Sequence, residues 1–333
     1  MKHSKKARLI FFSGLLILVG ASLVIQQANR WYVTGNPKLQ TDLPLLNVEH
    51  HQGQKSELQG MFPVDSVDRF TVQRNGKDAV VFLLAEYHDL QSQKHQVIQF
   101  FKNKRHTATT DPADIRQQIW QAAGTAIKKN TPENAVFLSW WDDGQRIHYL
   151  SGVIAWINKP YTPTFNDPVW QQLKKNFYLA DDSEHQRLNQ MARWLTMDYA
   201  NALREIRQTF PNQPVYILVT SDLLLRRAEL ADYSGEFLSL YSAFLEAHDS
   251  MHGDIAHIKQ WASENGDGNY LVQKEGLNYR VWTTPSRSPN VKNTLIVRLL
   301  PFIDSLRQTM DNLQLVYQSS WGGYLSIYKL SDD

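Results

Sequence analysis

The stretch Ala135-Val136-Phe137-Leu138-Ser139-Trp140-Trp141-Asp142-Asp143-Gly144-Gln145-Arg146-Ile147-His148-Tyr149-Leu150-Ser151-Gly152 sets a short apolar run ahead of two indoles and two carboxylates. Ala135 to Leu138 reads as a buried strand. A helix is expected from Gly144, with Asp142 or Asp143 as its cap, because a carboxylate there accepts N–H groups that lack an intrahelical partner. The run would then sit where a strand becomes a helix. In an open α/β sheet such a position lies at the carboxyl ends of the strands, where ligands bind. Trp140, Trp141, Asp142, Asp143 and Arg146 are therefore the candidate ligand-binding residues. A second reading stays open, in which the indoles pack on opposite sides of the strand end and Asp142 only caps the helix.

Upstream, Asp111 and Pro112 begin an amphipathic helix with Ile115, Ile119, Ala122, Ala123, Ala126 and Ile127 on one face. Before it, Arg69 to Arg74 and Ala79 to Ala85 flank Asn75-Gly76, the pattern of a tight hairpin. Downstream, Ser183 and Gln186 have capping-box spacing at the head of a long helix that stops before Pro211. Val215 to Val219 is a second buried strand, and Ser221 caps a helix through Leu230. A further helix is expected over about Glu236 to Ala262. Strands are expected at Tyr270 to Gln273, Asn278 to Thr283, Leu315 to Ser319 and Tyr324 to Tyr328, with Gly322-Gly323 as a turn. Helices alternating with strands predict an α/β domain with a mixed sheet and some parallel pairing.

The chain has 333 residues, 42% of them hydrophobic and 20% charged, enough to bury a sizeable core. Its net charge is +2 with no basic block beyond the extreme N-terminus, so nucleic acid is not an expected partner. There is no cysteine, which excludes disulfides, iron–sulfur ligation and thiolate zinc sites. No phosphate-binding loop, Gly-x-Ser-x-Gly elbow or His-Glu-x-x-His motif occurs, so the chain is read as a non-enzymatic protein with no cofactor.

Leu9 to Ile25 is an uncharged apolar run behind Lys2, Lys5, Lys6 and Arg8, with Trp31 and Tyr32 beyond it. Its length approaches the roughly 17 to 25 residues of a membrane helix. The charge asymmetry predicts a cytoplasmic N-terminus and an exported main domain, which means a single-pass protein of a bacterial inner membrane with the bulk in the periplasm. A cleaved signal ending near Ala21 is the alternative. The expected organisation is a membrane anchor over 1–34, a polar tether over 35–67 and one soluble α/β domain over 68–333.

His248, His252 and His257 are the candidate metal ligands. On a continuous helix the first two would share a face, and neutral imidazoles at that spacing can hold zinc or copper.

Two resemblances add to this reading. Trp140-Trp141-Asp142, with Gly144 following, resembles the Trp-Trp-Asp-Tyr-Gly motif of oligosaccharyltransferase catalytic subunits, with Asp143 in place of the tyrosine. That likeness implies a site for a hydroxyl-bearing peptide or small ligand. A longer one runs from about Thr131 to Leu330. It is carried by Ala135 to Asp142, Arg146-Ile147, Leu150-Ser151-Gly152, Met251-His252-Gly253 with His257, Lys259 and Trp261, and Asn293-Thr294-Leu295. It continues through Leu299-Leu300-Pro301-Phe302, Leu313 to Gln318 and Gly322-Gly323-Tyr324. In these motifs the chain resembles the HaoB family of hydroxylamine oxidation proteins. The resemblance implies an accessory role beside the multihaem hydroxylamine oxidoreductase or a cytochrome. The competing function is a domain derived from an enzyme that binds its ligand at the Trp-Trp-Asp site.

Overall fold

A computed structural model describes residues 46–74, 77–100, 112–248, 250–275, 277–320 and 322–331. The described residues begin with four strands, β1 (Leu46–Gln52), β2 (Val64–Arg74), β3 (Lys77–His88) and β4 (Lys94–Phe100), which pair in sequence order as an antiparallel meander. Then follow α1 (Pro112–Asn130), β5 (Val136–Leu138), α2 (Trp141–Ser151), α3 (Pro168–Leu173), α4 (Asp182–Thr196), α5 (Tyr199–Thr209), β6 (Val215–Thr220) and α6 (Arg227–Ser234). The last part holds β7 (Tyr241–Glu246), α7 (Met251–Asn265), β8 (Tyr270–Glu275), β9 (Asn278–Thr283), α8 (Leu295–Leu299), α9 (Ile303–Arg307), β10 (Leu313–Gln318) and β11 (Leu325–Leu330).

The central sheet has the order β10-β11-β6-β5, with β5 and β6 parallel and the other pairs antiparallel. The α/β domain with a mixed sheet is thus present. Side chains alternate across a strand, and β6 uses both faces. Val215, Ile217 and Val219 enter the main core with Leu138, Trp140 and Trp194, while Tyr216 and Leu218 pack with Phe137 against Ile119, Trp120, Ala123 and Ile127 of α1. A strand covered on both faces reads as a continuous apolar run, which is why Val215 to Val219 was visible in the sequence.

Helix α2 lies between this sheet and the N-terminal meander. Trp141 belongs to the main core, Ile147 to the α1 side, and Tyr149 to a third cluster with Leu83, Ala85, Tyr87 and Val97. Every residue of α2 except Leu150 is buried. The helix approaches the following segment so closely that a Cβ on Gly144 would lie 2.0 Å from the Ile157 carbonyl oxygen. A side-chain bond from the Gln145 amide oxygen, accepting the Ile98 N–H at 3.1 Å, ties α2 to β4.

Several expectations are corrected. No helix among the described residues is long and apolar enough to cross a membrane. The longest of them, α1, carries Arg116, Lys128 and Lys129. The span expected at Leu9 to Ile25 lies outside the described residues. No described helix supplies the span that the single-pass topology, the inner-membrane and periplasmic placement and the membrane attachment require. Within the stretch read as a tether, β1 pairs along its whole length with β2. The helix expected over 236–262 begins only at Met251, capped by Ser250, and its first half is β7, an edge strand paired with β9. The long helix before Pro211 is two, because Met197 is extended and the Asp198 carboxylate accepts the Asn201 N–H to start α5. The capping box at its head is formed by Asp181 and Glu184 rather than Ser183 and Gln186. The helix expected at Ser221 starts as a 3-10 turn, Ser221–Arg226, that leads into α6. Asn75-Gly76 and Asp111 lie outside the described residues.

Candidate functional site

The apolar strand β5 ends at Leu138, and α2 starts three residues later with Trp140 as its N-cap in extended conformation and no side-chain capping bond. Asp142 and Asp143 are thus first-turn residues rather than caps. Acidic groups suit the positive end of a helix dipole, but these two are also deeply buried, at 4% and 2% exposure, and need cations. Arg226 Nη2 donates to Asp142 Oδ2 at 2.7 Å, and Arg146 Nη1 donates to the same oxygen at 3.0 Å and to Asp143 Oδ1 at 2.7 Å. Thr220 Oγ1 donates to Asp143 Oδ2 at 3.2 Å.

The indoles complete this arrangement from behind. Trp141 Nε1 donates to Glu229 Oε1 at 2.9 Å, and Thr164 Oγ1 donates to the same oxygen at 2.8 Å. Arg226 Nη1 holds the other Glu229 oxygen at 2.9 Å, and its guanidinium lies 5.3 Å from the Trp141 ring. Trp140 stands edge-on to Tyr233 at 5.4 Å. Both indoles are fully buried and share the main core, so neither separates into its own pocket.

The network extends sideways. Arg116 Nη2 and Tyr324 Oη donate to the two oxygens of Asp222, at 3.1 and 2.8 Å, and Arg116 lies 3.6 Å from Glu275, which also binds Arg280 at 3.0 Å. Five carboxylates, those of Asp142, Asp143, Asp222, Glu229 and Glu275, thus meet four guanidiniums, those of Arg116, Arg146, Arg226 and Arg280. Asp143 absorbs the imbalance. Burial and the adjacent Asp142 charge push its pKa up to about 7, against the pull of Arg146 and Arg226. At Asp142 burial acts upward too, but the charges of Arg226 and Arg146 outweigh it and hold the group below the usual carboxylate range.

Of the five predicted ligand residues, Arg146 lines a cleft beside the network. A narrow cleft of about 520 Å³, counting space open to solvent, is lined by Arg146, Arg116, Asp222 and Tyr324, by the amides of Gln59, Gln99, Gln117 and Gln121, and by Val97, Trp120, Tyr149 and Leu150. The Arg146 guanidinium lies 5.4 Å from the Trp120 ring there. A wider groove lies between α5 and the segments around Arg298 and Asp311. Its Arg298 and Arg207 already donate to the Thr309 and Ser331 carbonyls.

Of the predicted metal ligands, His248 and His257 have ring centroids 5.9 Å apart, and His248 Nδ1 lies 2.9 Å from Asp254 Oδ1. His252 joins α7 two residues after its cap. Among the described residues, a group of three metal-capable side chains converges elsewhere. Asp89, His95 and His148 offer ligand atoms that all lie within 4.8 Å of one another. Sequence reasoning missed this group because its members stand on a turn, on β4 and on α2, with the two histidines 53 positions apart.

An α/β domain whose central helix carries a buried carboxylate–guanidinium network beside a narrow polar cleft is the class that fold and site define. The family model described as "HaoA-associated protein HaoB" matches residues 5–330, nearly the whole chain, and the chain belongs to that family. No curated protein matches it. Among solved structures, the C-terminal domain of PglB from C. jejuni is similar at 13% identity and a TM-score of 0.35, covering 63% of this chain and 99% of that one. A likeness that loose carries no argument about the site. The accessory role expected from the resemblance was joined to a membrane anchor read from the apolar run, and no described helix supplies such an anchor.

Proposed function

We propose that the protein is a binding domain that takes a hydroxyl- or amide-bearing peptide segment in the cleft in front of Arg146. The observation that carries this reading is the lining of the cleft. Four glutamines, one aspartate, two arginines and Tyr324 line it together with Trp120 and Tyr149. Specific pockets combine such a few convergent polar groups with an apolar wall, and glutamine amides match the donor and acceptor pattern of a peptide. The narrowness of the cleft suits a single inserted side chain rather than a bulky small molecule. In this reading Trp141, Asp142, Asp143 and Arg226 do not touch the ligand. They hold the Arg146 guanidinium in place.

The family description supports HaoA as the source of the segment. The test is the affinity of the full chain for purified HaoA, measured by calorimetry. Gln117 and Gln121 stand at the mouth of the cleft, outside the buried network. The double variant Gln117→Ala/Gln121→Ala is expected to bind at least about tenfold more weakly, the loss of one to two hydrogen bonds. Wild-type affinity in that variant would overturn the assignment of the cleft.

A further inference from the structure

On the opposite side of α2 from the charge network, three groups meet whose chemistry the cleft does not use. Asp89 stands in the turn between β3 and β4. Its Oδ1 accepts the N–H groups of Gln91 at 2.9 Å and Gln93 at 2.8 Å, which fixes the carboxylate and turns Oδ2 toward His95 Nε2, 2.9 Å away. His95 comes from β4 on the same face as Val97, and His148 from α2. The two imidazole centroids are 4.4 Å apart at 62°. Tyr87 Oη lies 2.9 Å from His148 Nδ1, while Phe62 closes the far side with its ring 5.3 Å from that of His148.

We infer that Asp89, His95 and His148 form a binding site for a divalent transition-metal ion of the zinc class, with one coordination position left open. Zinc takes imidazole nitrogen at about 2.0–2.1 Å and carboxylate oxygen at about 2.0–2.2 Å, so ligand atoms around a tetrahedral ion stand roughly 3.3 Å apart. The Asp89–His95 pair is already near that separation. All separations lie within 4.8 Å, so none need close by more than about 1.5 Å, a torsional adjustment within reach of the ring on β4.

Two further features fit a metal better than a plain ion pair. A single carboxylate–imidazole pair has no use for a second imidazole packed edge-on against it. Ligating histidines, by contrast, are held through the other ring nitrogen, which fixes the tautomer. Tyr87 occupies that role at His148, since a Nδ1–H donated to the phenol oxygen leaves the Nε2 lone pair for the ion. The two backbone N–H groups do the same for Asp89. His148 and the Asp89 carboxylate are nearly sealed from solvent, whereas the His95 side chain keeps 15% of its surface. The fourth position and the route for the ion therefore lie on the His95 side. Three protein ligands with an open position are the composition of zinc sites that bind water or a substrate group, rather than of closed structural sites. This site stands independently of the peptide cleft.

The test is metal analysis of the full chain dialysed against Zn2+ alone, with Co2+ as a spectroscopic substitute. One Zn2+ per chain is expected to remain, and the Co2+ form should show the visible absorption of four- or five-coordinate cobalt. His95→Asn, at the exposed ligand, should abolish retention while far-ultraviolet dichroism and the melting curve stay native; Asp89→Asn provides a second ligand variant. Tyr87→Phe should weaken Zn2+ about 10- to 100-fold, as loss of a partner behind a ligand does. His252→Asn should retain the ion. A wild-type chain that holds no Zn2+, a folded His95→Asn that still holds it, or a loss produced by His252→Asn instead would each overturn the assignment.

Discussion

The two flanks of α2 solve the same problem in opposite ways. On the sheet side, charged groups are buried in number and neutralise one another, with four guanidiniums drawn in around five carboxylates. On the meander side, the groups that α2 itself contributes, His148 and Tyr149, are kept neutral. Burial and the neighbouring His95 push the His148 pKa down to about 4, with Asp89 acting against them, and burial pushes the Tyr149 phenol up to about 12. Asp143, pushed up to about 7, follows the second rule inside the first region. A single helix thus shows when a buried charge persists, which is when a partner of opposite sign is within hydrogen-bond reach.

The largest effect should come from Trp141→Ala. It removes a fully buried indole and one of the two donors to Glu229 Oε1, and is expected to cost about 5 kcal/mol in chemical denaturation. A loss below about 2 kcal/mol would mean that the core behind the network collapses freely.

Next in size is the contrast between the adjacent aspartates. Asp142→Asn removes the charge that both Arg226 and Arg146 address and should cost about 3 kcal/mol. Asp143→Asn should cost no more than about 1 kcal/mol near neutral pH, because its protonated form already lives in the fold and the amide oxygen still accepts from Arg146. Equal costs would show that Asp143 is held as a charged partner, as Asp142 is, rather than in its protonated form.

The smallest effect is in the pH profile. The raised Asp143 pKa contributes stability that is full below its unfolded value of 3.8 and is lost as pH rises through about 7. The lowered His148 pKa contributes a term that is intact above the unfolded 6.5 and is lost as pH falls through about 4. Between these limits the slopes oppose, so the wild-type profile should be nearly flat there. Asp143→Asn should unmask a stability that rises with pH by up to about 2 kcal/mol, a figure discounted for water near His95. A profile unchanged by the substitution would remove Asp143 as the titrating group.

The sequence carried the fold where a signal was local. Ala135 to Leu138 and Val215 to Val219 were visible as apolar runs, and α1 as an amphipathic pattern, because burial on both faces or on one stripe writes itself into consecutive residues. It failed where the partner was distant. Tyr241–Glu246 looked helical because the strand it pairs with lies almost forty residues on. Asp142 looked like a cap because Arg226, 84 positions away, cannot be inferred from its neighbourhood. The side chains of the Trp-Trp-Asp run face inward, and of the five residues it offered Arg146 lines the cleft. Asp89, His95 and His148 left no spacing to read at all.

Gly144 has a consequence for how this architecture can vary. The Ile157 carbonyl sits where any side chain at 144 would begin. Helix α2 is thereby seated against a hard stop, and both the Arg146 guanidinium and the His148 imidazole take their positions from it. A single added methyl at Gly144 would act as a shim under a shared mount. It would displace two sites that have no ligand in common, so that they are lost together, and restoring one by a compensating change elsewhere on α2 would restore the other.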